Sequence, residues 1–412
     1  MPPRVFTRVV ALVALASFAG CASHSAQTTS GGSADKTIEI GIDLPVSGAD
    51  ASTGVPTRNG AVQAIEDANA RGLPDGYTLK AYDLDDAPQG THDPGQGAQN
   101  VRQFVSDPAV LAVIGPFNSN VGAAEIPITN DAGLVQISPA TTNPGLTKGA
   151  AARKLRSSHP DVNTYFRVNA TDDRVGATAA EFARTLGLSR AFVIDDDETY
   201  GKGIADIFAA VFASHGGTVL GREHLTKGQS DYKALLTKAR ALSPDVIFFG
   251  GTTSTGGGQL RRQMVDVGLG KLPFIGGDGI AEAAFVQAAG SAADGTYYIV
   301  AAPQTSKLPS AQRFIAAYRK RWGSDVGPYS ANAYAATAIA IAAIRKALIA
   351  SGGAFPSRAA VLANVRNTSG VATPLGTIRF DQNGDTTNPI LTVYEVKAGK
   401  PVFVEQVSRK TS

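Results

Sequence analysis

VLAVIGPFNSNVGAAEIPITNDAGLVQISPATTN, residues 110–143, runs through strand, loop, helix, strand and loop in one short stretch. Val110-Leu111-Ala112-Val113-Ile114 is apolar without alternation, the pattern of a strand covered on both faces. It stops at Gly115-Pro116; a polar turn, Asn118-Ser119-Asn120, precedes the helical apolar period of 121–129. A second buried strand, 134–137, ends in Ser138-Pro139-Ala140-Thr141-Thr142-Asn143. In open parallel sheets ligands bind outside the carboxyl ends of the strands. Both strand ends here spill into small hydroxyl and amide residues that leave backbone groups accessible, so the stretch reads as half of a small-molecule site.

Outward from it, a weak repeat suggests the other half. Pro108-Ala109-Val110 through Ser119 resembles Pro244-Asp245-Val246 through Ser254. The strand-ending glycine precedes a helix-terminating acid by the same spacing in both copies, Gly115 to Asp131 and Gly250 to Asp266. Each copy leads to another short strand and a loop, Ala140-Thr141-Thr142 in one and Gly277-Asp278-Gly279 in the other. Any two strand-loop-helix-strand units share some of this; the alternative is two similar lobes offering loops to a shared cleft, an arrangement suited to hinge closure.

The rest of the chain alternates in the same way. Strands are expected at 37–44, 77–83, 190–194 and 295–301, with helices at 58–71, 94–106, 174–186, 203–214, 310–322 and 329–350. Residues following Lys148 read as irregular, a new series begins at Tyr165, and 374–380 and 390–405 read as closing antiparallel strands. The fold class is therefore α/β, with parallel sheets and crossover helices.

Residues 1–20 are not fold. Arg4 and Arg8 make a positive n-region, 9–18 an apolar h-region, and Phe18-Ala19-Gly20-Cys21 a small-residue cleavage site. The apolar run is too short to span a bilayer. The chain's single cysteine, Cys21, follows the site directly, so no disulfide forms. The reading is a lipoprotein signal over 1–20 and a lipidated flexible tether over 21–36, rich in Ser, Gly and Thr, that holds the protein outside the cell membrane. An ordinary secretory signal with a chance cysteine is the alternative, and Phe18 departs from the Leu usual there. Removing 1–20 takes two arginines from 38 basic residues set against 35 acidic ones, leaving a formal charge of +1 and no case for nucleic acid. About 375 residues remain, enough for two domains.

Several motifs now carry a resemblance. Gly41-Ile42 to Pro45-Val46-Ser47-Gly48, Asn59-Gly60 with Ala64-Ile65 and Asn69-Ala70, Asp85-Asp86 with Asp93-Pro94, Val113-Ile114-Gly115-Pro116, Ile137-Ser138-Pro139-Ala140-Thr141-Thr142-Asn143-Pro144 and Tyr200-Gly201-Lys202-Gly203 follow in order. Across about 37–407 the chain resembles the leucine/isoleucine/valine type of periplasmic binding protein, the substrate-binding lipoproteins of branched-chain amino acid ABC transporters. The resemblance implies the type 1 fold: two Rossmann-like lobes, three hinge crossings and a ligand cleft between the lobes. It assigns 37–165 plus 302–370 to the first lobe and 166–301 plus 371–408 to the second. It implies an extracytoplasmic, non-enzymatic receptor that closes over an amino acid or amide and hands it to a membrane permease; a ligand-sensing receptor subunit of the same fold is the alternative.

By position the resemblance also implies the site. Ser119 and the loop Ala140-Thr141-Thr142 would hold an α-amino acid's charged end, with hydroxyls and backbone N–H groups on the carboxylate and the Ala140 carbonyl and Thr142 hydroxyl on the ammonium. Charge-assisted bonds of this kind are about twice as strong as neutral ones. Tyr200 would close from the second lobe, and Asp278, one methylene shorter than the usual Glu, would face the ammonium. Two walls depart from the pattern. Thr53 stands near the place of a typical tryptophan, and Thr252 follows Gly250-Gly251 where tyrosine is common. Both losses suggest a roomier or more polar pocket.

Other motifs read blandly. Gly201-Lys202-Gly203 lacks the rest of a P-loop and reads as a helix entry. Asp381-Gln382-Asn383-Gly384-Asp385 opens like a calcium loop but has Thr392 where position twelve needs Glu, so it reads as a hairpin turn. The acidic run 195–198 reads as a solvated loop or helix N-terminal charge. The histidines show no ligand spacing, no nucleophile elbow is present, and no metal or cofactor is expected. The apolar stretch 331–350 carries Asn332, Arg345 and Lys346 and reads as a buried helix of the first lobe.

Overall fold

A computed structural model describes residues 36–226 and 228–409, which form one compact unit. The signal, the tether and Cys21 lie outside the described residues. The first sheet collects β1 (Thr37–Leu44), β2 (Thr78–Asp85), β3 (Val110–Ile114), β4 (Val135–Ser138) and β5 (Tyr165–Arg167), all parallel, in the order β2-β1-β3-β4-β5. Between them run α1 (Ala51–Arg71), α2 (Pro94–Ser106), α3 (Ser119–Asp131) and α4 (Gly149–Leu155). The last of these occupies a segment expected to be irregular. Its seven residues are too few to show a clear apolar period.

The chain crosses to a second unit of α5 (Asp172–Thr185), β6 (Arg190–Asp195), α6 (Thr199–Ser214), β7 (Thr218–His224), α7 (Lys233–Ala241), β8 (Val246–Gly250), α8 (Gly257–Asp266), β9 (Phe274–Gly276), α9 (Ala283–Ala289) and β10 (Thr296–Val300). It crosses back for α10 (Pro309–Trp322), α11 (Ser330–Ala350), α12 (Arg358–Arg366) and a two-residue ladder of β11 (Ala372–Thr373) with β12 (Gly376–Thr377). A third crossing delivers β13 (Ile390–Lys397) and β14 (Lys400–Ser408), an antiparallel hairpin on the edge of the second sheet. The expected single strand over 390–405 is therefore two, folded at Ala398, whose φ is +50°, and Gly399.

The second sheet reads β7-β6-β8-β9-β10-β13-β14, so its first five strands repeat the order of the first sheet. β3 and β8, the two copies of the repeat, hold the same place in each. In both sheets the order reverses beside the first strand, so the loops after β1 and β3, and after β6 and β8, diverge at a switch point where ligands bind.

Two boundaries differ from expectation. β5 pairs with β4, so the first sheet runs to Arg167, beyond the expected division at 165. Leu375 and Ile378, expected in the second lobe, are buried in the first core with α10 to α12, because β11 and β12 turn back before the third crossing. That core packs α1 and α11 on one face of the first sheet, while Val101 and Phe104 of α2 cover the other. α11 is long and apolar enough to cross a membrane, yet fourteen of its residues are buried against this sheet and α1. A Cβ on Gly60 would come within 2.1 Å of the Ser330 carbonyl oxygen, so the close approach of α1 to α11 requires glycine there.

Candidate functional site

β3 delivers the first part of the site. All five of its residues are buried, and it ends at Gly115, with φ +136° and space for no Cβ against the Asp43 carbonyl. That turn aims Phe117, Asn118 and the start of α3, Ser119, into the cleft. β4 delivers the second part: the Ser138 hydroxyl donates to the Pro116 carbonyl at 2.8 Å and accepts from the N–H groups of Ala140 and Thr141. One hydroxyl thus ties the two strand-end loops together. From the second lobe come Tyr200 in the first turn of α6, Thr252 after β8 and Asp278 after β9.

Ser119, Ala140, Thr141, Thr142, Tyr200, Thr252 and Asp278 line one cavity, joined by Phe117, Asn118, Glu198, Gly279 and Tyr329. Thr53 is not among the lining residues. It is buried in α1 and donates to the Asp50 carbonyl at 3.1 Å, because α1 begins at Ala51 and turns that segment inward as helix. Thr141 lines the cavity but commits its hydroxyl to Tyr165 at 2.7 Å. The Ala140 carbonyl already accepts from Asn169 at 3.0 Å, which leaves it a second lone pair.

The cavity measures about 30 Å³, room for roughly two waters. The expectation of a roomier pocket is therefore corrected for this arrangement of the lobes. Phe117 and Tyr329, edge to face with centroids 4.9 Å apart, supply aromatic walls to this cavity. Neither was legible as a wall, although Phe117 directly follows the Gly115-Pro116 strand end. Tyr329 arrives from a helix start more than two hundred residues away in sequence.

The electrostatics are acidic. The Tyr200 hydroxyl donates to Asp278 Oδ1 at 2.9 Å and accepts from the Gly279 N–H at 3.1 Å, while Asp278 Oδ2 has no protein partner. Burial pushes the Asp278 carboxyl up to about 6, with the Tyr329 and Tyr200 hydroxyls pulling it back. Asp172, the first residue of α5, was missed in the sequence. It is fully buried, its backbone N–H donates to the Thr142 carbonyl, and neither carboxylate oxygen is bonded. Burial and the nearby charge of Asp278 raise its pKa well above the carboxylate range. One buried acid lining a small polar cavity, with a second buried acid coupled to it by charge, is an arrangement that a cationic group would relieve.

The acidic run was expected to be a solvated loop or helix N-terminal charge; Asp197 is exposed and Glu198 stands at the N-cap of α6, but Asp195 and Asp196 are buried. Asp195 is fully buried, holding Arg222 at 2.8 Å and the His224 ring, because β6 carries it inward beside β7. Asp195, Asp197 and His224 stand close enough together for a cation, but Arg222 and Lys202 already occupy the carboxylates. Gly201 and Gly203 lie within α6. Asp381 to Asp385 forms a tight turn, with the Asp381 carboxylate accepting from the Asn383 and Asp385 N–H groups.

Comparison with known proteins follows this geometry. The profile of the family described as periplasmic binding protein matches residues 37–401. The Leu/Ile/Val-binding protein BraC3 of Rhizobium johnstonii is 29% identical over 369 residues, 89% of this chain and 94% of that one. An amino acid binding protein of Pseudomonas aeruginosa is 29% identical over 401 residues, 96% and 97% of the two chains. Among solved structures, the branched-chain amino acid transporter substrate binding protein LivJ of Streptococcus pneumoniae, in complex with isoleucine, has a TM-score of 0.76 at 26% identity over 90% of this chain and 99% of that one. A solute binding protein of R. palustris in complex with benzoate shares the fold, with a TM-score of 0.75 at 17% identity over 91% and 98%. The protein is accordingly a solute-binding protein and not an enzyme, and its place is outside the cytoplasm. With the profile spanning 37–401 on two facing α/β lobes, the chain belongs to the periplasmic binding protein family.

Proposed function

We propose that the protein binds an amino acid, branched-chain or related, or an amide, between its lobes, closes over it and presents the closed form to the permease of an ABC importer. The observation that carries this reading is the shared cavity. Ser119, Ala140 and Thr142 of one lobe meet Tyr200 and Asp278 of the other around a space lined by the buried Asp278 carboxylate, with a second buried carboxylate, Asp172, close enough behind it to feel its charge. An ammonium group placed there would neutralise them, and the small hydroxyl and amide groups of the first lobe suit a carboxylate or amide. Isoleucine in the LivJ complex, and the names of the relatives from Rhizobium and Pseudomonas, point the same way. Because the cavity is so small, entry requires the lobes to part, and the signal read by a permease is the ligand's preference for the closed form.

The reading is tested by thermal shift with leucine, isoleucine, valine, alanine and acetamide. A true ligand at a hundred times its dissociation constant adds about 2.7 kcal/mol of stability. Asp278→Asn is expected to abolish the shift given by any α-amino acid. With a carboxyl raised to about 6, affinity for an ammonium ligand should hold at neutral pH and weaken by up to about tenfold per unit below 6 as Asp278 takes a proton. A shift untouched by Asp278→Asn would end the ammonium assignment.

The anchor is part of the same proposal: Cys21 becomes the acylated N-terminus after removal of 1–20. Cys21→Ser is expected to abolish incorporation of labelled palmitate and to move the protein from the membrane to the soluble fraction. Retention on the membrane without label would refute it.

A further inference from the structure

His92, in the loop between β2 and α2, is buried where the lobes meet, its side chain 1% exposed. Its Nδ1 lies 3.0 Å from Asp50 Oδ2, and its backbone N–H donates to the same oxygen at 3.0 Å. Its Nε2 lies 2.8 Å from Glu198 Oε2. A neutral imidazole donates from one nitrogen only; a ring with a carboxylate at each nitrogen donates from both and is an imidazolium. Burial alone would depress its pKa, but the Asp50 and Glu198 carboxylates outweigh burial and raise it to about 10. Asp86, buried nearby, is raised well above the carboxylate range by burial, with the charge on His92 pulling it back, and Asp50 is held below its usual range by His92 despite its own burial.

The three residues are divided between the lobes. Asp50, just before α1, and His92 belong to the first; Glu198 caps α6 of the second. Parting of the lobes leaves Asp50–His92 intact and breaks His92–Glu198. A contact made in only one of two states shifts their equilibrium by its whole differential energy. This contact is charge-assisted and part-buried, its His92 side enclosed and its Glu198 side 21% exposed, unlike a fully exposed ion pair. Glu198 also lines the candidate cavity, and His92 and Glu198 together border a separate space of about 530 Å³. The pair therefore stands as a partition beside the site.

We propose that Asp50 and His92 form a latch for Glu198, which gives the closed arrangement a standing population without ligand and slows release of a bound one. His92 acts as a positioning residue, holding Glu198 and through it the mouth of α6. The effect on release rests on the amino-acid reading above; the standing population does not.

Small-angle scattering of the ligand-free protein tests the second claim. His92→Gln and Glu198→Gln are each expected to increase the radius of gyration, and the double variant no further than either single change, since all three break one contact. A role of His92 in packing alone would add to the effect of Glu198→Gln instead of overlapping with it. An unchanged radius in both single variants, or additive changes, overturns the latch. For release, L-isoleucine is the probe: His92→Gln should speed dissociation about tenfold, the scale of one charge-assisted bond, with association nearly unchanged. Equal dissociation rates overturn that half. If isoleucine does not bind the unaltered protein, the claim about its release falls while the scattering result still decides the latch.

Discussion

Arg167→Met is expected to cost about 3–5 kcal/mol of stability, because it strands a carboxylate in the interior. Arg167 and Asp385 are both fully buried and joined at 2.6 Å, 218 positions apart in sequence. The guanidinium also donates to the Asn143 carbonyl at 2.8 Å and to the Thr147 hydroxyl. One side chain therefore fastens the turn at 381–385 to the loop that carries Ala140 and Thr142. Loss of the charge leaves Asp385 with the Thr147 hydroxyl and with Lys148 at 3.6 Å. Chemical denaturation at neutral pH measures the cost, and the double change Arg167→Met with Asp385→Leu is expected to recover much of it, since an apolar pair leaves no orphan charge. Ligand affinity in Arg167→Met should fall as well, because the site loop then loses its tie at the Asn143 carbonyl and keeps only those made by Ser138, Asn169 and Tyr165. A stability within 1 kcal/mol of the unaltered protein would contradict this account.

The second large effect is a pH slope. Asp43, Asp86 and Glu125 are fully buried in the first lobe. A Cβ on Gly97 would meet Glu125 Oε1 at 2.8 Å and Asp43 Oδ2 at 3.4 Å, which places both acid groups over that glycine. The Gln136 amide donates to Glu125, and Asn100 donates to Asp43 at 2.7 Å, and among the described residues no basic side chain forms an ion pair with these acids. Burial, followed by the charge of Asp86, pushes Glu125 up to about 8; burial and Glu125 hold Asp43 well above its usual range. The sign follows from proton counting. An unfolded Glu releases its proton near 4.3, whereas the folded one keeps it to about 8, so between those values the folded state binds more protons and stability falls as pH rises. The loss from pH 5 to pH 8 is expected to be on the order of 4 kcal/mol from this residue, and Glu125→Gln, which needs no proton to stay neutral, should remove that part of the slope. Melting curves of both proteins across this range decide it. Parallel slopes would mean that Glu125 is ionised throughout.

What could be read in the chain before folding was local. Unbroken apolar runs such as 110–114 mark strands buried on both faces, and the glycines that end them mark where a loop leaves the sheet, as Gly115 and Gly250 do. The hydroxyl-rich loops at 115–119 and 138–143 follow those strand ends, so half of the candidate site lies where the pattern put it. The long apolar helix of 330–350 was recognisable as core from its polar interruptions. Periodicity reports which face of an element is apolar, and that is enough for fold class and for the approximate place of a site.

Tertiary structure decided which distant groups meet. His92 and Glu198 are 106 residues apart, Tyr329 closes a cavity begun at Phe117, and Arg167 finds Asp385 across the third crossing. Charged residues look alike in a sequence whether solvent or protein surrounds them, which is why 195–198 read as a solvated loop although Asp195 is fully buried. Thr53 differs in the opposite sense: its place near a ligand-facing loop was implied by the resemblance, but the helix that begins at Ala51 turns it into the interior. Burial and pairing depend on how the two sheets close around the crossings, and no local pattern encodes that closure.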